Sequence, residues 1–209
     1  MVTRKPAPHG PILKRAFYER PTVEVARDLL GKLLVHGETA GIVVEAEAYL
    51  GGDDLAAHSA RGLTPRTRVI FGPPGHAYVY FIYGRYECLN LVAEPEGKPG
   101  CVLIRALEPV AGIEIMQQRR PQAKSLRELA SGPARLTMAM DITRAHNGRD
   151  VTGGDLIVTE PKRPREFTVE VTPRIGITQC ALWPLRFIVK DNPYVSNSRS
   201  AAQSLTLSL

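Results

Sequence analysis

The chain has 209 residues, 44% of them hydrophobic and 23% charged, which suits a globular protein with one sizeable core. No apolar run is long enough to span a membrane, and the basic start lacks the apolar stretch of a secretory signal. Three scattered cysteines, Cys88, Cys101 and Cys180, exclude a disulfide framework and a four-cysteine cluster, and favour a reduced, intracellular protein. The net charge of +6 points to a polyanionic partner such as nucleic acid, with a merely soluble basic protein as the alternative.

The first part of the chain predicts an arm, a helix and two strands. Residues 1–11 are rich in proline and are expected to form a flexible arm. Thr22 is a candidate N-cap for the helix VEVARDLL, which stops at Gly31. Alternating apolar residues then predict strands at KLLVH and GIVVEAEAYL. The irregular segment 51–76 follows, and a loop of that length inside a domain is usually functional or disordered.

The remainder predicts a hairpin, further strands and three helices. AYVYFIY and YECLNLV are strand-like runs joined at Gly84-Arg85, and CVLIRALEP is the next strand. Helices are expected over EPVAGIEIMQQRR, SLRELA and ARLTMAM, and strands return at DLIVTE, REFTVEVTPRIGI and PLRFIVK. Strands that cluster first and last, with helices between and around them, predict an α+β fold on a curved, mostly antiparallel sheet. We expect a single domain over residues 12–199 and a flexible, serine-rich tail over residues 200–209.

The strand GIVVEAEAYL carries an unusual set of acids. Because alternate strand residues share a face, Glu45, Glu47 and Tyr49 point one way and the apolar residues between them point the other. Two carboxylates at this spacing lie roughly 7 Å apart, so a partly buried face would raise one pKa and suit general acid–base chemistry. A solvent-facing strand edge with two solvated acids is the alternative. The residues by themselves leave both open.

Two aspartates and a histidine follow this strand. Asp53, Asp54 and His58 are residue types that bind hard metals or zinc, but their spacing matches no established ligand pattern. The aspartates could equally cap a short helix, LAAHS, and we favour capping over a metal site.

The predicted hairpin is rich in tyrosine, with four of the chain's seven: Tyr78, Tyr80, Tyr83 and Tyr86. Tyr78 and Tyr80 share a strand face, whereas a tyrosine at the hairpin tip suits a wedge between bases or an anchor for a partner. Packing of all four on a twisted sheet is the alternative. Arginines surround the hairpin in sequence: Arg61, Arg66, Arg68 and Arg85. Aromatic residues interleaved with arginines are typical of stacking on bases while phosphates are neutralised.

Two polar residues lie in otherwise apolar strands and need partners if they are buried. Asn90 offers both a donor and acceptors, which suits the reading of a base edge. Arg105 would be an unfavourable buried cation unless it faces an acid, and Glu47 is the candidate. A structural salt bridge is the alternative for Arg105.

Five stretches of the sequence, in this order and spacing, carry a resemblance to a known family: VEAEAYLGGDDLAAHS, TPRTRVIFGPPGHAYVYFIYGRYECLN, CVLIRALEP, PLRFIV and NPYVS. They resemble the alkyladenine (3-methyladenine) DNA glycosylases, also called methylpurine-DNA glycosylases, over about residues 12–199. The resemblance implies a roll or open barrel with surface helices and a protruding β-hairpin. It implies a hydrolase of base excision repair that flips damaged purines, alkylated or deaminated, out of duplex DNA and cleaves the N-glycosidic bond, leaving an abasic site.

The resemblance also implies the catalytic residues. Glu47 would be the general base that activates the attacking water, and Arg105 and the backbone carbonyl of Ile175 would help to hold that water. Glu45 is expected to have a structural or pKa-tuning part. No metal and no organic cofactor are implied, and we expect a monomer.

Further roles implied by the resemblance concern the flipped base. Tyr49 and Tyr80 would sandwich it, and His58 would lie beside it. Asn90 would line the pocket floor and clash with the amino group of guanine.

Contacts with the duplex complete the implied set. Tyr83 would intercalate, and Arg66 and Arg85 would lie against the DNA backbone. Arg85 stands where relatives often carry an apolar residue such as methionine, which leaves the mode of intercalation open.

Two other readings stay open on the residues alone. A non-catalytic module that recognises distorted DNA would keep the tyrosines and arginines but would not need Glu47, so the presence of both Glu47 and Arg105 favours the enzyme. A metal-dependent nuclease would use Glu45, Glu47, Asp53 and His58. A glycosylase with lyase activity would need an amine nucleophile, and the motifs supply no lysine there.

Overall fold

The computed structural model describes Ala7, residues 9–82 and residues 84–196. Five α-helices lie within these residues: α1 Arg15–Tyr18, α2 Thr22–Asp28, α3 Ile113–Arg119, α4 Leu126–Ala130 and α5 Pro133–Met140. The described strands are β1 Leu33–His36, β2 Thr39–Leu50, β3 Ala77–Ile82, β4 Tyr86–Val92, β5 Gly100–Ala111, β6 Leu156–Thr159, β7 Val169–Thr172 and β8 Arg186–Val189. Short 3-10 helices cover His58–Arg61 and Arg144–His146. None of the helices in the described part of the chain has the length and apolar composition needed to cross a bilayer.

The strands form one curled antiparallel sheet around β2. Six strands follow the order β3-β4-β5-β2-β1-β6, while β8 pairs with both β2 and β7. β2 can take three partners because it is long: β1 pairs near its start, β8 pairs at residues 45–47, and β5 runs along its length. The predicted α+β fold with a curved, mostly antiparallel sheet is therefore confirmed.

Irregular pairing between β2 and β5 bends the sheet where the acids lie. Val43 pairs with Leu107 and Glu45 with Ala106, so Val44 is left without a partner in the ladder. The next pair joins Ala46 to Ile104, which leaves out Arg105. Such bulges bend a strand and redirect its side chains. Arg105 thus lies at a bulge beside the two glutamates.

A large apolar cluster fixes this framework. Side chains from β2, β4 and β5 pack against α2, α4 and α5, with Leu89, Ile104, Leu107 and Met140 fully buried. At roughly 1.5–3 kcal/mol per fully buried large apolar side chain, this cluster is the main stabilising contribution to the sheet. Glu45 and Glu47 therefore lie on a strand, β2, whose apolar residues belong to this core cluster.

Several predicted boundaries are wrong in detail. The helix expected over EPVAGIEIMQQRR begins only at Ile113, because residues 108–111 continue β5 and Gly112, with φ +64°, makes the turn. Only Val169–Thr172 of REFTVEVTPRIGI is a strand. Thr22 lies inside α2, after an N-cap at Pro21, and its hydroxyl donates to Glu94 Oε1 at 3.0 Å.

The predicted arm and tail fall mostly outside the described residues. Of residues 1–11, the structure describes Ala7 and residues 9–11, and Ala7 donates its amide to the Gly37 carbonyl at 3.0 Å. Residues 200–209 lie outside the described part entirely.

Candidate active site

Glu45 is the centre of a buried ion-pair network. Its carboxylate is fully buried and accepts hydrogen bonds at Oε1 from Arg105 Nε (2.9 Å) and Arg186 Nε (2.7 Å). The backbone amide of Ser196 donates to Oε2 at 2.7 Å. These bonds supply the partners that a buried charge requires. Glu45 therefore holds β2, β5 and β8 together, in keeping with the structural part expected for it.

Glu47, two residues further along β2, is also fully buried but is bound differently. Its Oε1 accepts the backbone N–H of Ile175 at 2.8 Å, and its Oε2 accepts the Tyr49 hydroxyl at 3.0 Å and Arg105 Nη1 at 3.3 Å. Burial of both glutamates makes the alternative of a solvent-facing strand edge wrong. Arg105 faces Glu47, as predicted, and faces Glu45 at shorter distance.

The surroundings of Glu47 favour its proton-bound form more than water does. Burial raises the pKa of Glu47 above the ordinary carboxyl value, and the nearby Glu45 charge adds to that shift. Arg105, the Ile175 amide and the Tyr49 hydroxyl oppose it but do not cancel it. A carboxylate with a raised pKa is a stronger base, which suits the removal of a proton from water.

Tyr49 links this carboxylate to an aromatic pocket, because its hydroxyl donates to Glu47 while its ring lines the pocket. The other lining residues come from the 51–76 loop and from β3, β4 and β5: Ala56, His58, Tyr78, Tyr80, Asn90 and Cys101. Aromatic walls with a few polar groups are the features of a site that binds a flat organic ring.

His58 forms part of the pocket wall. Its ring packs edge-on against Tyr80, with centroids 4.5 Å apart, and its Nδ1 lies 2.9 Å from the Tyr78 hydroxyl. Burial and the nearby Arg66 and Arg61 charges lower the pKa of His58 to about 4. The imidazole is therefore neutral near pH 7, so it does not repel a positively charged ligand.

A separate, more apolar cavity is lined by Ile42, Val44, Phe167 and Val189 among others, but by neither Glu45 nor Glu47. Apolar character alone would favour that cavity over the tyrosine pocket. We assign the candidate site to the tyrosine pocket, because a buried carboxyl with a raised pKa, Glu47, contacts its aromatic wall through Tyr49.

Known proteins are similar to this chain over most of its length. Residues 16–193 match the family model described as Methylpurine-DNA glycosylase (MPG). The chain belongs to the methylpurine-DNA glycosylase family. One relative, from Methanoculleus marisnigri, is 55% identical over 190 residues, which cover 88% of this chain and 98% of the relative. A second, from Methanocella arvoryzae, is 53% identical over 194 residues, covering 89% and 96%. A third, from Legionella pneumophila, is 48% identical over 193 residues, covering 89% and 98%.

All three relatives carry the name "Putative 3-methyladenine DNA glycosylase". Family membership confirms both the resemblance drawn from the sequence motifs and the predicted enzyme class, a DNA glycosylase.

Asn90 of this family member lines the pocket and is almost fully buried. Its Nδ2 donates to the Tyr78 carbonyl at 3.2 Å, and the Cys101 thiol donates to its Oδ1 at 3.9 Å. These two contacts fix the orientation of the amide. A fixed amide can discriminate between purines that differ in one hydrogen-bonding group.

Two of the predicted DNA contacts, Arg66 and Arg85, lie on the surface, and Arg66 lies beside the pocket. Arg66 is exposed, with its guanidinium carbon 5.5 Å from the centre of the Tyr80 ring and Nη2 3.5 Å from His58 Nε2. Arg85 is exposed at the β3–β4 turn, 5.6 Å from the centre of the Tyr86 ring. The predicted wedge, Tyr83, lies outside the described residues.

Sequence reasoning missed three residues that build the site. Tyr78 lines the pocket and contacts His58, and its shared strand face with Tyr80 was the available signal. Arg174 binds Asp54, and Arg186 binds Glu45, across separations of more than a hundred residues for which the sequence offers no local signal.

The aspartates also differ from the expectation. Asp54 is fully buried against Arg174 and accepts the Ala56 amide at 3.3 Å, while the nearby helix begins only at His58. Asp54 therefore closes a turn and does not cap the helix. Among the residues that the structure describes, no three His, Cys, Asp or Glu side chains come together in a way that would hold a metal ion.

Proposed function

We propose that this protein is a monofunctional DNA glycosylase that flips a damaged purine, alkylated or deaminated, out of duplex DNA and hydrolyses its N-glycosidic bond with water activated by Glu47. The observation that carries the proposal is the contact between the buried Glu47 carboxylate and Tyr49, which joins a strong base to the aromatic pocket. The flipped purine would occupy that pocket, and its sugar would lie toward Glu47.

The proposed hydrolysis uses the Glu47 carboxylate, Arg105 and one water molecule. As the C1′–N bond breaks, its electron pair leaves with the purine, and positive charge develops on the sugar. The Glu47 carboxylate stabilises that charge and takes a proton from the attacking water, whose oxygen forms the new bond to C1′. Arg105 bridges Glu47 to Glu45 and keeps the carboxylate in place. In this proposal Arg105 and the Ile175 carbonyl also hold the water.

Base flipping is supported by the balance of interactions. Extruding a nucleotide costs a few kcal/mol, and less where damage has weakened the base pair. Stacking on aromatic side chains returns roughly 1–3 kcal/mol per base. In our proposal the flipped base is stacked between the rings of Tyr49 and Tyr80, with His58 beside it. Because His58 is uncharged, it does not repel a cationic alkylpurine.

The charge of the surface suits the duplex. The net charge of +6 favours a polyanion, and the exposed Arg66 and Arg85 would meet its phosphates. Intercalation by Tyr83 stays a prediction, as do the monomeric state and the intracellular location.

Replacing one pocket wall tests the sandwich. Tyr80→Ala is expected to lower kcat/KM for lesion excision by about 5- to 150-fold, which corresponds to the loss of roughly 1–3 kcal/mol of stacking. Tyr80→Phe is the matched control, because it keeps the ring and should stay within a few-fold of wild type. Steady-state excision on a hypoxanthine duplex measures both. Equal losses in the two variants would show that the hydroxyl matters and the stacking does not.

The class of chemistry is tested on end-labelled duplexes, each with one hypoxanthine, 3-methyladenine or 7-methylguanine, in the presence of chelator. The proposal expects release of the free base and strand cleavage only after hot alkali. Cleavage without alkali together with trapping by borohydride would indicate a lyase with an amine nucleophile. Cleavage that chelator abolishes would indicate a nuclease. Tight binding to every lesion with no base released would favour the non-catalytic binding module.

A further inference from the structure

We infer that Arg174, together with Asp54, is a positioning residue for excision: the pair holds Tyr49 and the Ile175 amide against Glu47. This inference rests on the proposed function, since it assigns a part in that reaction to an ion pair between Asp54 and a residue 120 positions away in sequence. Neither residue lines the tyrosine pocket, so the effect is indirect.

The pair itself is a two-pronged ion pair without solvent. Arg174 Nη1 lies 2.7 Å from Asp54 Oδ2, and Nη2 lies 2.8 Å from Oδ1. Both side chains are 0% exposed. This geometry uses the planar fork of arginine, which a lysine cannot reproduce. The pair therefore has one well-defined orientation.

The ion pair fixes Tyr49 through three contacts, two with the neighbouring backbone and one with its ring. Arg174 Nη1 donates to the carbonyl of Ala48 at 3.0 Å, and Asp54 Oδ2 accepts the amide of Leu50 at 2.9 Å. These are the residues on either side of Tyr49. The guanidinium carbon of Arg174 also lies 4.6 Å from the centre of the Tyr49 ring, a cation–π contact. Backbone and ring of Tyr49 are thus both fixed by one ion pair.

The same arginine fixes the next peptide unit. Ile175 follows Arg174 directly, and its N–H donates to Glu47 Oε1 at 2.8 Å. Tyr49 donates to the other oxygen, Oε2. Arg174 therefore stabilises two of the three donors that orient the Glu47 carboxylate, the third being Arg105. Errors of about 1 Å in the placement of reacting groups can reduce rates by about 100-fold.

A purely structural ion pair makes a different prediction from a positioning pair. Removing one partner of a buried pair leaves an unpaired charge and is strongly destabilising, whereas replacing both partners by uncharged residues is often neutral. Stability and activity can therefore be separated with single and double variants. If the pair only stabilises the fold, the double variant recovers both properties.

The experiment compares Arg174→Met, Asp54→Asn and the double variant by thermal unfolding and by single-turnover excision on a hypoxanthine duplex with saturating enzyme. We expect each single variant to unfold at a lower temperature and the double variant to recover part of that loss. The excision rate of the double variant should stay about 10- to 100-fold below wild type. A double variant with recovered stability and a wild-type rate would overturn the inference.

The pH profile supplies a further readout. Because the charge of Arg174 itself interacts with Glu47, the profile is measured on Arg174→Lys, which keeps the charge but loses the two-pronged geometry. The Ile175 N–H lowers the pKa of Glu47, so its displacement should shift the acid limb of the excision rate to higher pH. Arg174→Lys leaves the other charged or titratable groups near Glu47 unreplaced: Glu45 and Tyr49 on β2, Cys88 on β4 and Arg105 on β5. An acid limb that coincides with wild type would contradict the inference.

Two further variants keep the test decisive. Arg120→Met removes another buried arginine, which donates to backbone carbonyls of α4, and should lower stability without changing rate or pH profile.

If the double variant does not fold, Arg174→Lys replaces it in the rate measurement. The charge remains, the two-pronged geometry is lost, and the excision rate should still fall. A folded Arg174→Lys with a wild-type rate would overturn the inference. Wild-type protein that releases no base from any lesion would instead overturn the proposed function.

Discussion

Glu47→Gln is expected to reduce the single-turnover rate of lesion excision by about 10²–10⁴-fold, the usual contribution of a general base. Glutamine has nearly the same shape and can still accept the Ile175 N–H at its oxygen, but it can neither take a proton nor stabilise positive charge on the sugar. Lesion binding should change much less than the rate, because the pocket rings are untouched. Quenched-flow excision and equilibrium binding to the same hypoxanthine duplex measure the two effects separately.

A matched carboxylate outside the site controls for the loss of one negative charge. Glu114 is exposed on α3, and Glu114→Gln should excise at the wild-type rate. A Glu47→Gln protein that binds the lesion and excises within about threefold of wild type would remove Glu47 from the mechanism.

Glu45→Gln is expected to destabilise the fold by about 3–5 kcal/mol, the usual effect of breaking a buried ion pair on one side. Arg105 and Arg186 both donate to Glu45 Oε1 and would face a neutral amide with fewer acceptors. For a chain of this length the loss corresponds to a decrease in Tm of about 6–20 °C. Urea titration gives the free energy of unfolding, and calorimetry gives the Tm.

The control is a glutamate whose ion pair is open to solvent. Glu108 binds Arg165 at 2.8 Å, and the arginine side chain is largely exposed. Glu108→Gln should change stability by no more than about 1 kcal/mol. Equal effects of the two replacements would mean that the Glu45 network contributes nothing beyond an ordinary surface pair.

Local patterns in the sequence were sufficient for most of the fold. Alternation predicted β2 and the hairpin strands, and the Gly84-Arg85 turn lies where it was expected. The start of α3 was misplaced because residues 108–111 read equally well as strand or helix. Pairing with β2 decided in favour of the strand, which is a long-range effect.

Local patterns in the sequence also predicted part of the candidate site. Strand parity gave the shared face of Glu45, Glu47 and Tyr49, and the need of a buried arginine for an acid connected Arg105 to Glu47. Parity did not reveal that the acidic face of β2 is buried as well as the apolar face, which depends on the pairing with β8 and on the bulges. Nor could it reveal Arg174 or Arg186, whose partners lie 120 and 141 residues away.

The single-turnover excision rate of 3-methyladenine as a function of pH tests the central claim most directly. This purine already carries a positive charge and needs no proton to leave, so the profile reports on the catalytic base. A carboxyl with a raised pKa is deprotonated above that pKa and protonated below it. The rate should therefore be constant near neutral pH and fall on acidification, with a midpoint above the ordinary carboxyl value of about 4.3 and with the protein still folded. The residual rate of Glu47→Gln should lack this limb. A limb that persists in Glu47→Gln would contradict the assignment of Glu47 as the base, and so would a wild-type rate that stays constant to pH values below the ordinary carboxyl range.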